Sequence, residues 1–80
     1  MTHDLKIWTT HFMDIRAGIK TAEIRRNDRD YKVGDILVLR EFDPIAGSYT
    51  SEVETRIVTH VLDDERYLQP NMVMLSMTVV

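Results

Sequence analysis

The period of apolar and polar positions changes several times along the chain, and each change marks an element. Leu5 to Trp8 is a short apolar patch broken by Lys6, suited to a first strand of about four or five residues. Thr9 or Thr10 then offers an N-cap, and Trp8, Phe12, Ile15 and Ile19 fall at i, i+4, i+7 and i+11. That spacing predicts a short helix ended by Gly18, about two and a half turns long and dependent on a sheet to cover its apolar stripe.

From Lys20 the period becomes two. Ala22 and Ile24 alternate with Thr21, Glu23 and Arg25, so a strand here is expected to bury the first pair and hold Glu23 and Arg25 out together. Asn27 to Lys32 is polar and turn-rich, and Gly34-Asp35 leads into Ile36–Leu39, which is apolar on both faces as in a strand covered on both sides. DPIAGS, residues 43–48, predicts a hairpin loop. The alternation of Tyr49, Ser51, Val53, Thr55, Ile57, Thr59 and Val61 with their neighbours predicts a strand so long that a bend or bulge is expected within it. After an acidic loop from Asp63 to Asn71, a last strand places Val73, Leu75, Met77 and Val79 on one face. The order strand, helix, four strands points to an α+β fold. Its expected form is a small, strongly bent sheet or partly open β-barrel of about five strands, plugged at one end by the helix.

Composition narrows the class. Eighty residues, 44% apolar and 29% charged, make one folded domain spanning residues 1–80, and the absence of cysteine removes disulfides and thiolate metal sites. His3, His11 and His60 share no short spacing, and Asp63, Asp64 and Glu65 read as a solvated loop, so neither a metal nor a cofactor is expected. MTHDLKIW lacks a basic leader and an apolar run, and the apolar MVMLSMTVV is far short of the roughly 20 residues of a membrane span. The expectation is a cytoplasmic monomer without membrane contact.

Charge singles out one stretch. The chain carries a formal charge of −3, yet six of its ten Lys and Arg residues, Arg16, Lys20, Arg25, Arg26, Arg29 and Lys32, lie together against only Glu23, Asp28 and Asp30. An acidic chain that gathers its cations in one place presents that place to an anion. Lys20, Glu23 and Arg25 form the first candidate site: two cations for a phosphate, with a carboxylate to accept hydrogen bonds from a base or sugar. The competing reading is a solvated strand face with a Glu23–Arg25 surface pair worth under about 1 kcal/mol. Arg26 and Arg29, with Asn27 between them, form the second candidate. They either reach phosphates while Asn27 reads a base edge, or belong to a turn in which the arginines pair with Asp28 and Asp30. Trp8 lies on the helix's stripe and reads as a cap of the core, while Tyr31 is open to either role.

Gly18, Lys20, Glu23 and Arg25 spell G-x-K-x-x-E-x-R, which resembles the signature of the ASCH group of the PUA-like superfamily. The continuation RRNDRDYKVGDILVLREFDP is similar to short, often phage-associated ASCH-like proteins of unassigned function. The resemblance implies a PUA-like pseudobarrel with a cleft beside the helix that binds RNA or modified nucleosides. On that reading the partner is RNA or a nucleotide-like ligand, held in a cleft bordered by Lys20, Glu23 and Arg25 with Arg26 and Arg29 on its rim. Some small members of the superfamily hydrolyse acetylated cytidine with the motif's lysine, a nearby threonine and a later glutamate. Lys20 matches the lysine, but Glu23 stands in the threonine's place, so a non-catalytic binding module is the leading expectation. A small amidohydrolase using Lys20 and a protein-interaction factor are the alternatives.

Overall fold

In a computed structural model that describes residues 1–80, the chain forms β1 (Thr2–Trp8), α1 (Thr9–Arg16), β2 (Ala22–Arg26), β3 (Ile36–Asp43), β4 (Ser48–Leu62) and β5 (Met72–Val79). One curled sheet holds all five strands in the order β1-β3-β4-β5-β2. β1 runs parallel to β3 and every other pair is antiparallel. The result is a half-barrel with one short helix after the first strand, as the element order predicts.

The concave side holds one core: Leu5 and Ile7 from β1, Leu37 and Leu39 from β3, Val58 from β4, Val73, Leu75 and Met77 from β5, Phe12 and Ile15 from α1, and Tyr31. Of the predicted helical stripe only Phe12 and Ile15 are buried. Trp8 precedes the helix in extended conformation and Ile19 follows the chain reversal, so neither shares the helical period, and both are exposed. The reversal itself is built as expected. Gly18 takes φ +78°, its N–H donates to Ile15 O, and the Ile19 N–H donates to Asp14 O, closing the helix's last carbonyls in a glycine-ended turn.

The long fourth strand bends twice. Its register against β3 shifts between Arg40 and Phe42, near Ser51 at φ +76°, and its register against β5 shifts between Val58 and His60. The second shift inserts Thr59 as an extra residue, so Val58 faces the core and Val61, three positions later, packs against it. The unbroken alternation from Tyr49 to Val61 is thus replaced by an inward set of Glu54, Arg56 and Val58. β1 begins earlier than predicted because Thr2 and His3 pair with Ile36 and Leu37.

His3 is buried, and its Nε2 lies 2.8 Å from Asp35 Oδ2. The buried Asp35 carboxylate also accepts the backbone N–H of Lys32 and the terminal amino group, while its backbone carbonyl accepts the Val58 N–H. Asp35 therefore ties β1, the turn before β3, and β4 together. Burial opposes its ionisation, but the bonds from His3, Lys32 N–H and the amino group outweigh that and hold it at about 2.

A carboxyl lowered from 3.8 to about 2 stabilises the fold above its unfolded value, and that contribution disappears as pH falls from about 4 toward 2. Urea unfolding of Asp35→Asn is expected to show a loss of about 2 kcal/mol at pH 7 that shrinks toward zero near pH 2. A difference independent of pH would contradict this account.

Candidate functional site

The glycine-ended turn after α1 positions Lys20. Its backbone N–H, like that of Ile19, donates to Asp14 O, so Lys20 is fixed before β2 begins at Ala22. The Lys20 ammonium donates to Ala22 O at 2.6 Å and lies 3.1 Å from Glu23 Oε1. Arg25 Nη1 lies 3.2 Å from the other carboxylate oxygen, Glu23 Oε2. Lys20, Glu23 and Arg25 are therefore brought together, but with the strand parity opposite to expectation. Glu23 is buried, Arg25 is half-buried and Ile24 is exposed.

The register explains the inversion. Glu23 pairs with Leu75 and Arg25 with Val73, both core-facing, whereas Ile24 pairs with the outward Met74. β2 and β1 are the two edges of the curled sheet, and no backbone ladder joins them. Arg25 Nη1 instead donates across the gap to Lys6 O at 3.2 Å, and Arg29 Nη1 donates to Asp4 O. An apolar side chain at position 25 would lose the bond to Lys6 O, so the seam favours the charged face of β2 toward β1. Glu23 neutralises the guanidinium there, and no buried side-chain polar atom lacks a partner.

The cleft itself lies on the helix side of Lys20. It measures about 190 Å³ and is lined by Ile15, Gly18, Lys20, Thr21, Arg56, Met77, Thr78 and Val79. Two cations and two threonines thus meet over an apolar floor. Arg56 is held by Glu54 at 3.1 Å and donates through Nη2 to Ile15 O, a carbonyl in the last turn of α1. Arg16 grips the far side of Glu54 at 3.0 Å and reaches Glu52 at 2.8 Å. Burial opposes ionisation of Glu54, but the bonds from Arg16 and Arg56 outweigh it and lower its pKa. At about 190 Å³ the cleft is smaller than the roughly 300–1,000 Å³ of pockets that engulf a drug-sized molecule. It accommodates a phosphate or a single ring rather than a whole nucleotide.

Of the five residues singled out in the sequence, Lys20 alone lines this cleft. Glu23 and Arg25 support it from behind, Arg29 is engaged with β1, and Arg26 is exposed on β2. Arg56, Thr21 and Thr78 were not anticipated. The alternation of Glu54, Arg56 and Val58 is visible in the sequence, but the bulge decides that this register points inward.

A second concavity of about 350 Å³ lies at the other end of β2, lined in part by Asn27, Asp30, Lys32, His60 and Asp63. Its turn is locally satisfied: Asn27 Oδ1 accepts the Tyr31 N–H, and Lys32, rather than an arginine, pairs with Asp30 at 3.1 Å. Tyr31 is buried with its ring 4.9 Å from His3 and offers no stacking surface. Burial raises its pKa against the opposing charges of Arg25 and Arg29. No group of three or more His, Asp or Glu side chains is placed to hold a metal ion. No helix is long and apolar enough to cross a membrane.

Fold and site together define a small half-barrel with a cationic cleft at the end of its one helix. Residues 2–77 match the family described as Domain of unknown function (DUF3850), and the chain belongs to that family. It is also similar to an uncharacterized 12.9 kDa protein in the GpA 3' region of Escherichia phage P2, 38% identical over 68 residues that cover 84% of this chain. The matched region is 60% of that relative's length, so the chain spans only part of what the phage protein contains.

Replacing Glu23 by Gln is expected to destabilise the protein by about 1–3 kcal/mol, because Lys20 and Arg25 lose their shared counter-charge inside the seam. Arg25→Ala is expected to speed amide exchange in β1 and β2 while the β3–β4 amides stay protected, since only the seam is opened. Uniform acceleration across the sheet would show that Arg25 does not act at the seam.

Proposed function

We propose that this protein binds RNA or a nucleotide-like ligand through the cleft at the end of α1. The observation that carries the reading is that Lys20 and Arg56, from distant parts of the chain, line one small cleft whose floor is apolar. Two lining cations fit one phosphate of a nucleic-acid chain, with the Thr21 and Thr78 hydroxyls beside it, while the attached sugar and base extend beyond the cleft. Glu23 borders the site from behind by fixing the Lys20 ammonium, with Arg25 on its other carboxylate oxygen, whereas Arg26 and Arg29 lie toward the far end of β2, where Arg29 bonds Asp4 O, and are no rim of this cleft. The resemblance of Gly18, Lys20, Glu23 and Arg25 to the ASCH signature supports the same reading, as does the bent half-barrel that a PUA-like fold requires.

A second reading, hydrolysis of an acylated nucleoside, gains from one observation. β2 begins at Ala22, so Lys20 and Thr21 are not split across strand faces, and both line the cleft. A hydroxyl beside an ammonium is thereby available although Glu23 occupies the threonine position of the related hydrolases. Release of acetate from acetylated nucleosides decides this reading, and the absence of turnover across such a panel removes it.

Binding is tested by titrating the labelled protein with short RNAs and with mononucleotides. Amide shifts are expected to centre on Gly18–Thr21 and Thr78–Val79. Lys20→Ala and Arg56→Ala are each expected to weaken binding and to reduce the slope of log affinity against log salt by about 1. Unchanged affinity and slope in both variants, with the fold intact, would refute the cleft as the binding site.

A further inference from the structure

The convex face of the sheet carries a feature that the cleft does not use. Trp8 is the register partner of Phe42 across β1 and β3, and Phe42 is the partner of Tyr49 across β3 and β4. The three aromatic residues therefore form one transverse row on three adjacent strands. All three face outward. In β1 the inward residues are His3, Leu5 and Ile7, and in β3 they are Leu37, Leu39 and Glu41, which leaves Trp8 and Phe42 on the opposite side. Tyr49 joins them, its ring 5.3 Å from that of Phe42 at 76°.

The row is not a buried cluster. Trp8 is 54% and Tyr49 56% exposed, large values for side chains of this size, while Phe42 between them is half-buried. Beside it runs a row of cations, Lys6 opposite Arg40. The Lys6 ammonium sits 4.6 Å from the centroid of the Phe42 ring, and Arg40 is paired with Asp4 at 3.0 Å. Solvent thus meets two open rings on the outer strands of the trio, about 10 Å apart by strand spacing, with an ammonium over the ring between them.

We propose that this face is a stacking platform for a single-stranded nucleic acid, with bases against Trp8 and Tyr49 and a backbone phosphate at the Lys6 ammonium. Charge decides between occupants. An apolar protein surface that covered the rings would also strip water from the Lys6 ammonium and the Arg40–Asp4 pair without replacing it. A polyanion satisfies the Lys6 ammonium while its bases cover the rings, and any base can do so because every base has a π-face. A duplex keeps its base faces stacked on one another and cannot use the platform. The inference stands apart from the cleft, since no residue of the platform lines it.

Trp8 is the sole tryptophan of the chain, so its fluorescence reports directly on stacking. The full chain is titrated at low salt with single-stranded RNA and single-stranded DNA about ten nucleotides long, and with the matching duplexes. Quenching by one or both single strands but by neither duplex is expected, and which strand quenches identifies the sugar preferred. Tyr49→Ala and Lys6→Ala, both at exposed positions and checked for an unchanged circular dichroism spectrum, are each expected to weaken the quenching titration by about fivefold or more. Backbone amide shifts at Gly18–Thr21 are followed in the same titrations, so quenching at Trp8 without those shifts, or the shifts without quenching, lets this site and the cleft fail separately. Absence of quenching by either single strand, equal quenching by duplex, or titrations indifferent to both Tyr49 and Lys6 would overturn the proposal.

Discussion

The constraint on which this structure depends is the gap between β1 and β2. Five strands curl far enough to enclose a core but not far enough for the two edges to pair, and the unpaired β1 edge offers carbonyls that accept donors from β2 and the loop after it. Side chains do what a sixth strand would do in a closed barrel. Arg25 and Arg29 reach from β2 and the loop after it to Lys6 O and Asp4 O. A guanidinium drawn toward an interior needs a counter-charge, and Glu23 supplies it. The Lys20 ammonium then takes the remaining carboxylate oxygen, so the cation that faces the cleft is held in place by the same group that closes the barrel.

Two cationic features follow from this arrangement, and they are differently built. The cleft is a product of packing: Arg56 is fixed by Glu54 and a helix carbonyl, Lys20 by Glu23 and a strand carbonyl, and little side-chain entropy is left in either cation. The aromatic row on the opposite face is a product of register, three rings brought into line by strand pairing with the outer two left open to solvent. If both bind nucleic acid, one domain grips a phosphate on its concave side and a run of bases on its convex side. Such a division of labour suits a chain with a formal charge of −3, which has no general affinity for polyanions and must place its contacts locally.

Much of the architecture is legible in the sequence because it is local. The 3.6-residue spacing of Phe12 and Ile15, the glycine after the helix, the hairpin at 43–48 and the alternation of Val73, Leu75 and Met77 each depend on neighbours in the chain. The site was only partly legible. The grouping of Lys20, Glu23 and Arg25 follows from spacing, but the face they occupy was misread, since parity identifies two faces without saying which is inside. Hydrophobicity favoured Ala22 and Ile24 for the interior, and the bond from Arg25 to the β1 edge outweighed it. Trp8 was misread for a similar reason: an extended conformation at the start of α1 removes it from the helical stripe.

The sequence by itself therefore determined the elements, their order, the concentration of positive charge and a resemblance carried by four residues. The tertiary structure alone decided which faces those elements turn inward, because that depends on strand partners remote in sequence. It decided that Arg56, more than thirty residues from Lys20, shares its cleft. It also decided that Trp8, Phe42 and Tyr49 lie in one row, since a register between strands is a property of neither strand alone.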